Sequence, residues 1–88
     1  MAKFPSGQIV MTTTVQRTLS QSDVNTALAR HLRGDWGDVD EHDRNENELS
    51  LAQGLRLFSV YHAANGTKFW IITEADRSAT TILLPEDY

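Results

Sequence analysis

The chain has 88 residues, 40% of them hydrophobic and 23% charged, with a net charge of −4. A chain of this size holds one domain and one core, and its composition is that of a globular protein rather than a disordered one. The absence of cysteine excludes disulfides, thiolate metal sites and cysteine nucleophiles, and the acidic balance argues against a protein that tracks a nucleic-acid backbone.

The leading residues run into only a short apolar stretch, Ile9 to Met11. That is too short for a signal peptide or a bilayer span, so a cytoplasmic protein without a membrane partner is expected. Residues 7–11 read as a short N-terminal strand, and Thr12-Thr13-Thr14 as extended chain or a helix cap. One helical turn is expected over residues 15–19. Ser22 then suits a helix N-cap, with Asp23 at the positive end of the dipole. Val24, Leu28 and Leu32 with Ala27 form an apolar stripe, while Arg30, His31 and Arg33 favour the last turn and Gly34 a left-handed stop. This predicts a helix over residues 22–33.

Asp35-Trp36-Gly37-Asp38 reads as a turn. Asp38 and Glu41 have the spacing of a capping box, and Asp40, Glu41 and Asp43 favour a second helix running to about Gln53 and stopping at Gly54. The first two turns of that helix are entirely polar, which leaves Leu49 and Ala52, with Leu51 and Val39, to dock it. The sequence then turns to β periodicity. A two-residue type I′ turn at Asn65-Gly66 predicts a hairpin pairing Tyr61 with Trp70, Ser59 with Ile72 and Leu57 with Glu74. A looser turn at Asp76-Arg77-Ser78-Ala79 leads to a third strand over residues 80–84, ended by Pro85.

The expected fold is therefore α+β: two helices packed on a three-stranded antiparallel meander, with a short extra N-terminal strand, as a single domain over residues 1–88. In the predicted register Leu57, Tyr61, Trp70 and Ile72 share one face, and Phe58, Val60, Phe69 and Ile71 the other. Two short helices cover one face. The second would stand as an aromatic patch larger than monomers usually expose, so either the N-terminal segment wraps round it or another chain does, a protein partner or a second copy in a homo-oligomer.

Several stretches resemble a family of small bacterial proteins carried on plasmids and other mobile elements. They are Gly7-Gln8-Ile9-Val10, Ala29 to Asp38 with its Gly34-Asp35-Trp36-Gly37-Asp38 core, the surroundings of Asn47-Glu48 and Gly54-Leu55-Arg56, and Trp70-Ile71-Ile72-Thr73-Glu74-Ala75-Asp76-Arg77-Ser78-Ala79-Thr80-Thr81-Ile82-Leu83-Leu84-Pro85. The resemblance spans most of the chain and is weakest over residues 13–26. It implies a mobile-element cargo protein, an integron cassette product being one form, and it brings no catalytic residue with it.

The candidate chemistry is sparse. Seven acidic residues (Asp35, Asp38, Asp40, Glu41, Asp43, Glu46 and Glu48) crowd into one run with Arg44 as counter-charge. A calcium loop starting at Asp38 would need glycine where Asp43 stands and glutamate where Leu49 stands, so helix capping and solubility explain the run better. His31, His42 and His62 show no metal-ligand spacing; His31 reads as a last-turn dipole partner and His62 as a cross-strand neighbour of Phe69. Arg33-Gly34-Asp35 spells an adhesion tripeptide, but Gly34 is explained as a helix stop. Glu74, Asp76, Arg77 and Ser78 form a polar loop, best read as Asp76 bonding its own turn and Arg77 pairing with a carboxylate. No catalytic residue, metal or cofactor is assigned, and an enzyme is not expected.

Trp36 is either a plug at the helix–sheet junction or an exposed contact. With Tyr61, Trp70, Ile72, Asp38, Asp40, Glu41 and Asp43 it makes up the candidate interaction surface. The function expected is that of a small intracellular adaptor or inhibitor-like protein, self-associating through its sheet and presenting its acidic helix, with a nucleic-acid mimic as one concrete version. The alternative is a small-ligand-binding or enzymatic module with a pocket lined by Tyr61, Trp70 and the 74–78 loop. Direct nucleic-acid binding through Arg30, Arg33 and Arg56 is disfavoured by the net charge.

Overall fold

The computed structural model describes residues 2–88. It is an α+β fold in the order β1 (Gln8–Met11), α1 (Thr13–Thr18), α2 (Gln21–Leu32), α3 (Glu41–Gln53), β2 (Leu57–His62), β3 (Lys68–Thr73), β4 (Ala79–Leu83) and a closing 3₁₀ turn at Pro85–Asp87. The strands form one mixed sheet in the order β1-β4-β3-β2. The meander β2-β3-β4 is antiparallel, and β1 adds to it in parallel beside β4. The parallel addition follows from the chain's path. Helices α1 to α3 lie between β1 and the meander, long enough to return the chain for a parallel pairing.

The helix starts lie close to those expected, but on different caps. Ser20, not Ser22, accepts from the Asp23 amide, because a cap bonds the amide three residues on and Asp23 stands at that distance from Ser20. Likewise Asp40, not Asp38, caps α3 through the Asp43 amide. Thr12 caps α1, making a third helix where one turn was expected. Gly34 and Gly54 take the left-handed conformations foreseen for them.

The hairpin register differs from expectation by one residue. Tyr61 pairs with Phe69, Val60 with Trp70, Ser59 with Ile71 and Leu57 with Thr73. A type I′ turn needs positive φ at both central residues, and Asn65 does not adopt it; only Gly66 does, at +88°. The loop is instead Ala64-Asn65-Gly66, closed by bonds from the Ala63 amide to Thr67 and from the Gly66 amide to Ala63. Tertiary contacts hold this form. The Asn65 side-chain Nδ2 donates to the Thr18 carbonyl of α1, and the Ala64 backbone amide donates to Asp23 of α2.

The slip re-sorts the faces. The inner face carries Tyr61, Phe69, Ile71 and Ile82 and packs under Val15 and Leu19 beside α1 and Val24 and Ala27 of α2. Phe69, Ile71 and Ile82 are fully buried, each contributing about 1.5–3 kcal/mol relative to exposure. The outer face carries Phe58, Val60, Trp70, Ile72 and Leu83. It is not bare: Val60, Ile72 and Leu83 are buried, Phe58 and Trp70 are half-buried, and Tyr88 stands edge-on to Trp70 with ring centroids 5.8 Å apart. The chain's own C-terminal turn therefore shelters part of the expected patch.

Helix α3 docks partly as expected: Val39 joins the core with Trp36, Leu57 and Val60, and Leu51 packs against it. Leu49 and Ala52 are exposed, while Asn47 and Ser50 are buried. The helix lies against an edge of the sheet, where backbone N–H and C=O groups need polar partners, so Asn47 and Ser50 share its contact side with Leu51.

Candidate functional site

Strand β2 would be an open edge, but residues 34–38 and α3 close it. Gly34 ends α2, and Asp35 folds back on Arg30 through two hydrogen bonds of 2.8 and 3.2 Å. That bidentate bond holds the Asp35 carboxyl below the usual carboxylate range. Trp36 is the plug: its side chain is 1% exposed and its indole N–H donates to Glu48 at 2.8 Å. The Val60 amide donates to the Trp36 carbonyl and the Asp38 amide to the Val60 carbonyl, so the segment makes one parallel bridge on β2. Gly37, at φ +74°, is required there, because a Cβ would run into the Val60 carbonyl and the Tyr61 ring. Asn47 closes the next position by bonding both backbone groups of Phe58.

Asn47 is buried and Glu48, itself exposed, is tied to Trp36, while the other acids of the run after Asp35 face out. Asp38, Asp40, Glu41 and Glu46 are exposed and Asp43 is half-exposed. Asp38 bonds His62 at 2.8 Å; His62 lies opposite Lys68, not Phe69. The candidate aromatics do not share this surface. Tyr61 is buried on the inner face with its hydroxyl donating to the Asp35 carbonyl at 2.5 Å, and burial pushes its pKa up to about 12. Ile72 and Trp70 lie on the outer face. Tyr61 and Trp70 thus stand on opposite sides of the sheet and cannot line one pocket.

A buried polar chain went unforeseen in the sequence. His31 is fully buried rather than a dipole partner at the helix end. Its Nδ1 lies 2.6 Å from Ser59 Oγ and its Nε2 2.9 Å from Thr73 Oγ1, which lies 2.8 Å from Thr80 Oγ1. Thr80 in turn donates to the Ser6 carbonyl at 2.7 Å. That last acceptor fixes every proton. A carbonyl only accepts, so Thr73 must donate to Thr80, Nε2–H of His31 must donate to Thr73, and Nδ1 must accept from Ser59. The imidazole is neutral, and burial, aided by the Arg77 charge, lowers its pKa to about 4. Ser59 and His31 have the spacing of a nucleophile and its base, but both are sealed at 0% exposure, so the arrangement is structural. The signal for it was Ser59, Thr73 and Thr80 at inward strand positions, with His31 one turn beyond Ala27 on the apolar stripe.

The 74–78 loop is also structural. Arg77 pairs with no carboxylate; its guanidinium donates to the carbonyls of Leu55, Ser50, Glu74 and Ala75 at 2.6, 3.1, 3.2 and 3.3 Å. It ties the β3–β4 turn to the carbonyl end of α3, where positive charge is favoured. Asp76 accepts from the Ser78 amide within the turn, and Glu74 lies 4.0 Å from Arg56.

Two features remain open. The β1 edge exposes Ile9 and Val10, and beside it a cavity of about 330 Å³ is lined by Met11, Val15, Gln16, Leu19, Gln21 and Val24. Among the described residues no cluster of three or more His, Asp or Glu could hold a metal ion, and no helix is long and apolar enough to cross a membrane. Fold and surface together define a small α+β protein with a sealed polar interior and a fixed acidic flank. Comparisons with protein-family models, curated proteins and solved structures gave no match.

Proposed function

We propose that the protein is a small adaptor or inhibitor-like interaction protein that presents the acidic flank of α3 to a basic partner. One observation carries the reading. The polar helix is fixed to the sheet through Asn47 on Phe58, Glu48 on Trp36 and the Ser50 carbonyl on Arg77, so the outward carboxylates are held in place before binding. Rigid presentation lowers the ordering cost of association, and a like-signed surface steers an oppositely charged partner. The most concrete form is a nucleic-acid mimic that occupies the phosphate-binding site of a nuclease, a role suited to a cargo protein of mobile DNA.

The test uses Glu41→Gln, Asp43→Asn and Glu46→Gln together, which spares the Asp40 cap and the Asp38–His62 bond. The immobilised protein is presented to a panel of purified nucleases, and DNA cleavage is assayed alongside. The reading expects at least one nuclease to be retained and inhibited by the parent, with binding weakened by salt and lost in the triple variant. Retention of no nuclease, or equal retention by both proteins, overturns it.

A further inference from the structure

We propose that the free edge of β1 is an interface for a second copy of this chain, the two strands pairing antiparallel about a two-fold axis at Val10. The sheet's two edges are built differently. At β2 the backbone groups of Phe58 and Val60 are taken up by Asn47, Trp36 and Asp38. At β1 the Gln8 and Thr12 amides donate inward, to the carbonyls of Ser78 at 3.0 Å and Ile82 at 3.1 Å. Bonding alternates along a ladder, so Gln8, Val10 and Thr12 face β4, and the N–H and C=O of Ile9 and Met11 point away from the sheet. Edges are normally guarded by charge, proline or a bulge. Between Gly7 and Thr12 there is none of these, and Ile9 and Val10 are 41% and 39% exposed.

Three observations select an identical strand as the occupant. First, the pairing about Val10 sets Ile9 of each copy opposite Met11 of the other. The four outward groups of each copy are then bonded, and the two Val10 side chains meet on one face. Second, Met11 shares the inner face with Ile82, at the mouth of the cavity it lines with Val15 and Leu19. The second copy's Ile9, opposite Met11, is delivered to that cavity, and the exchange is reciprocal. Third, charge permits it. No ionisable side chain lies between Lys3 and Arg17 in the sequence; Asp87 reaches only the end of the strand, where it accepts from Thr12 at 2.7 Å, and the acidic run of residues 35–48 sits on the opposite edge, about 14 Å away across three strand spacings. That exceeds the Debye length of about 8 Å at physiological salt. The dimer would be a continuous eight-stranded sheet with an acidic flank at each end.

This inference does not depend on the acidic-surface reading, and its readout is separate. Light scattering and sedimentation across a concentration series should show a two-chain species that dissociates on dilution. Ile9→Lys should shift the midpoint at least tenfold toward the single chain while leaving the thermal midpoint of a dilute sample unchanged, since that side chain is exposed. Trp70→Glu serves as the comparison on the outer face and should leave dimerisation intact. A single-chain mass at all concentrations, or a dimer broken by Trp70→Glu and not by Ile9→Lys, overturns the proposal.

Discussion

The carboxamide of Asn47 meets both backbone groups of Phe58, its Nδ2 donating to the carbonyl at 2.6 Å and its Oδ1 accepting from the amide at 3.0 Å. One helical side chain thereby makes the pair of bonds that a neighbouring strand would make. Replacing it with leucine keeps the bulk and orphans both groups. Each unpaired buried group costs about 1–3 kcal/mol; with Phe58 half-buried the lower end applies to each, so Asn47→Leu should lower the free energy of unfolding by about 2 kcal/mol or somewhat more in urea titrations, with an unchanged denaturant slope. An unchanged midpoint would mean that this edge does not depend on Asn47.

His31 makes stability depend on pH. It takes a proton near pH 6.5 when unconstrained and only near pH 4 in the fold. Between those values the unfolded chain holds the extra proton. Stability is therefore full above about pH 6.5, falls as the pH drops through this window, and levels off for this group below about pH 4. The gap corresponds to about 3 kcal/mol. Stability in urea at pH 5 should be about 2 kcal/mol below that at pH 7.5, the part of the gap already lost by pH 5, and His31→Gln, which keeps one donor and one acceptor, should reduce the difference. Nitrogen NMR of the parent should show the Nε2–H tautomer; the Nδ1–H form would contradict the proton order of the buried chain.

Arg77 adopts a left-handed backbone, φ +62°, which costs a side-chain-bearing residue about 1–2 kcal/mol. Arg77→Gly removes that strain but also the four carbonyl contacts. Because hydrogen bonds from a charged donor contribute about 1.5–3 kcal/mol each when well placed, the variant should be less stable by thermal melting, despite the relaxed turn. A gain in melting temperature would show the contacts to be worth less than the strain.

The element types were legible because periodicity and caps are local. Val24 and Ala27 mark α2, Gly34 and Gly54 its stop and that of α3, and the alternation from Leu57 to Ile72 marks the hairpin. What was hidden depends on distant groups. The hairpin register turned on Asn65 being engaged by Thr18, and the polar side of α3 faces a strand edge that no helical pattern reveals. Tyr61 and Trp70 were assigned one face by a single-residue slip. The buried His31 chain joins five elements or segments, at Ser6, His31, Ser59, Thr73 and Thr80, which the sequence lists far apart.

Gly37 and Gly54 offer a controlled contrast. Both have positive φ, but a Cβ at Gly54 meets nothing within 4 Å, whereas one at Gly37 meets the Val60 carbonyl and the Tyr61 ring. Gly54→Ala should cost about 1 kcal/mol from backbone strain alone. Gly37→Ala should cost distinctly more and expose Trp36 to fluorescence quenchers. Equal losses would argue that the 34–38 segment does not close on β2.

The central claim is that this chain shuts one edge of its sheet itself and leaves the other for its own copy. Residue-resolved amide exchange at low and high protein concentration tests both halves together. The account predicts that Phe58 and Val60 are protected at either concentration, and that Ile9 and Met11 become protected only in the concentrated sample, while Gln8 and Val10 stay protected throughout. Rapid exchange at Phe58, or concentration-independent exchange at Ile9 and Met11, would contradict it.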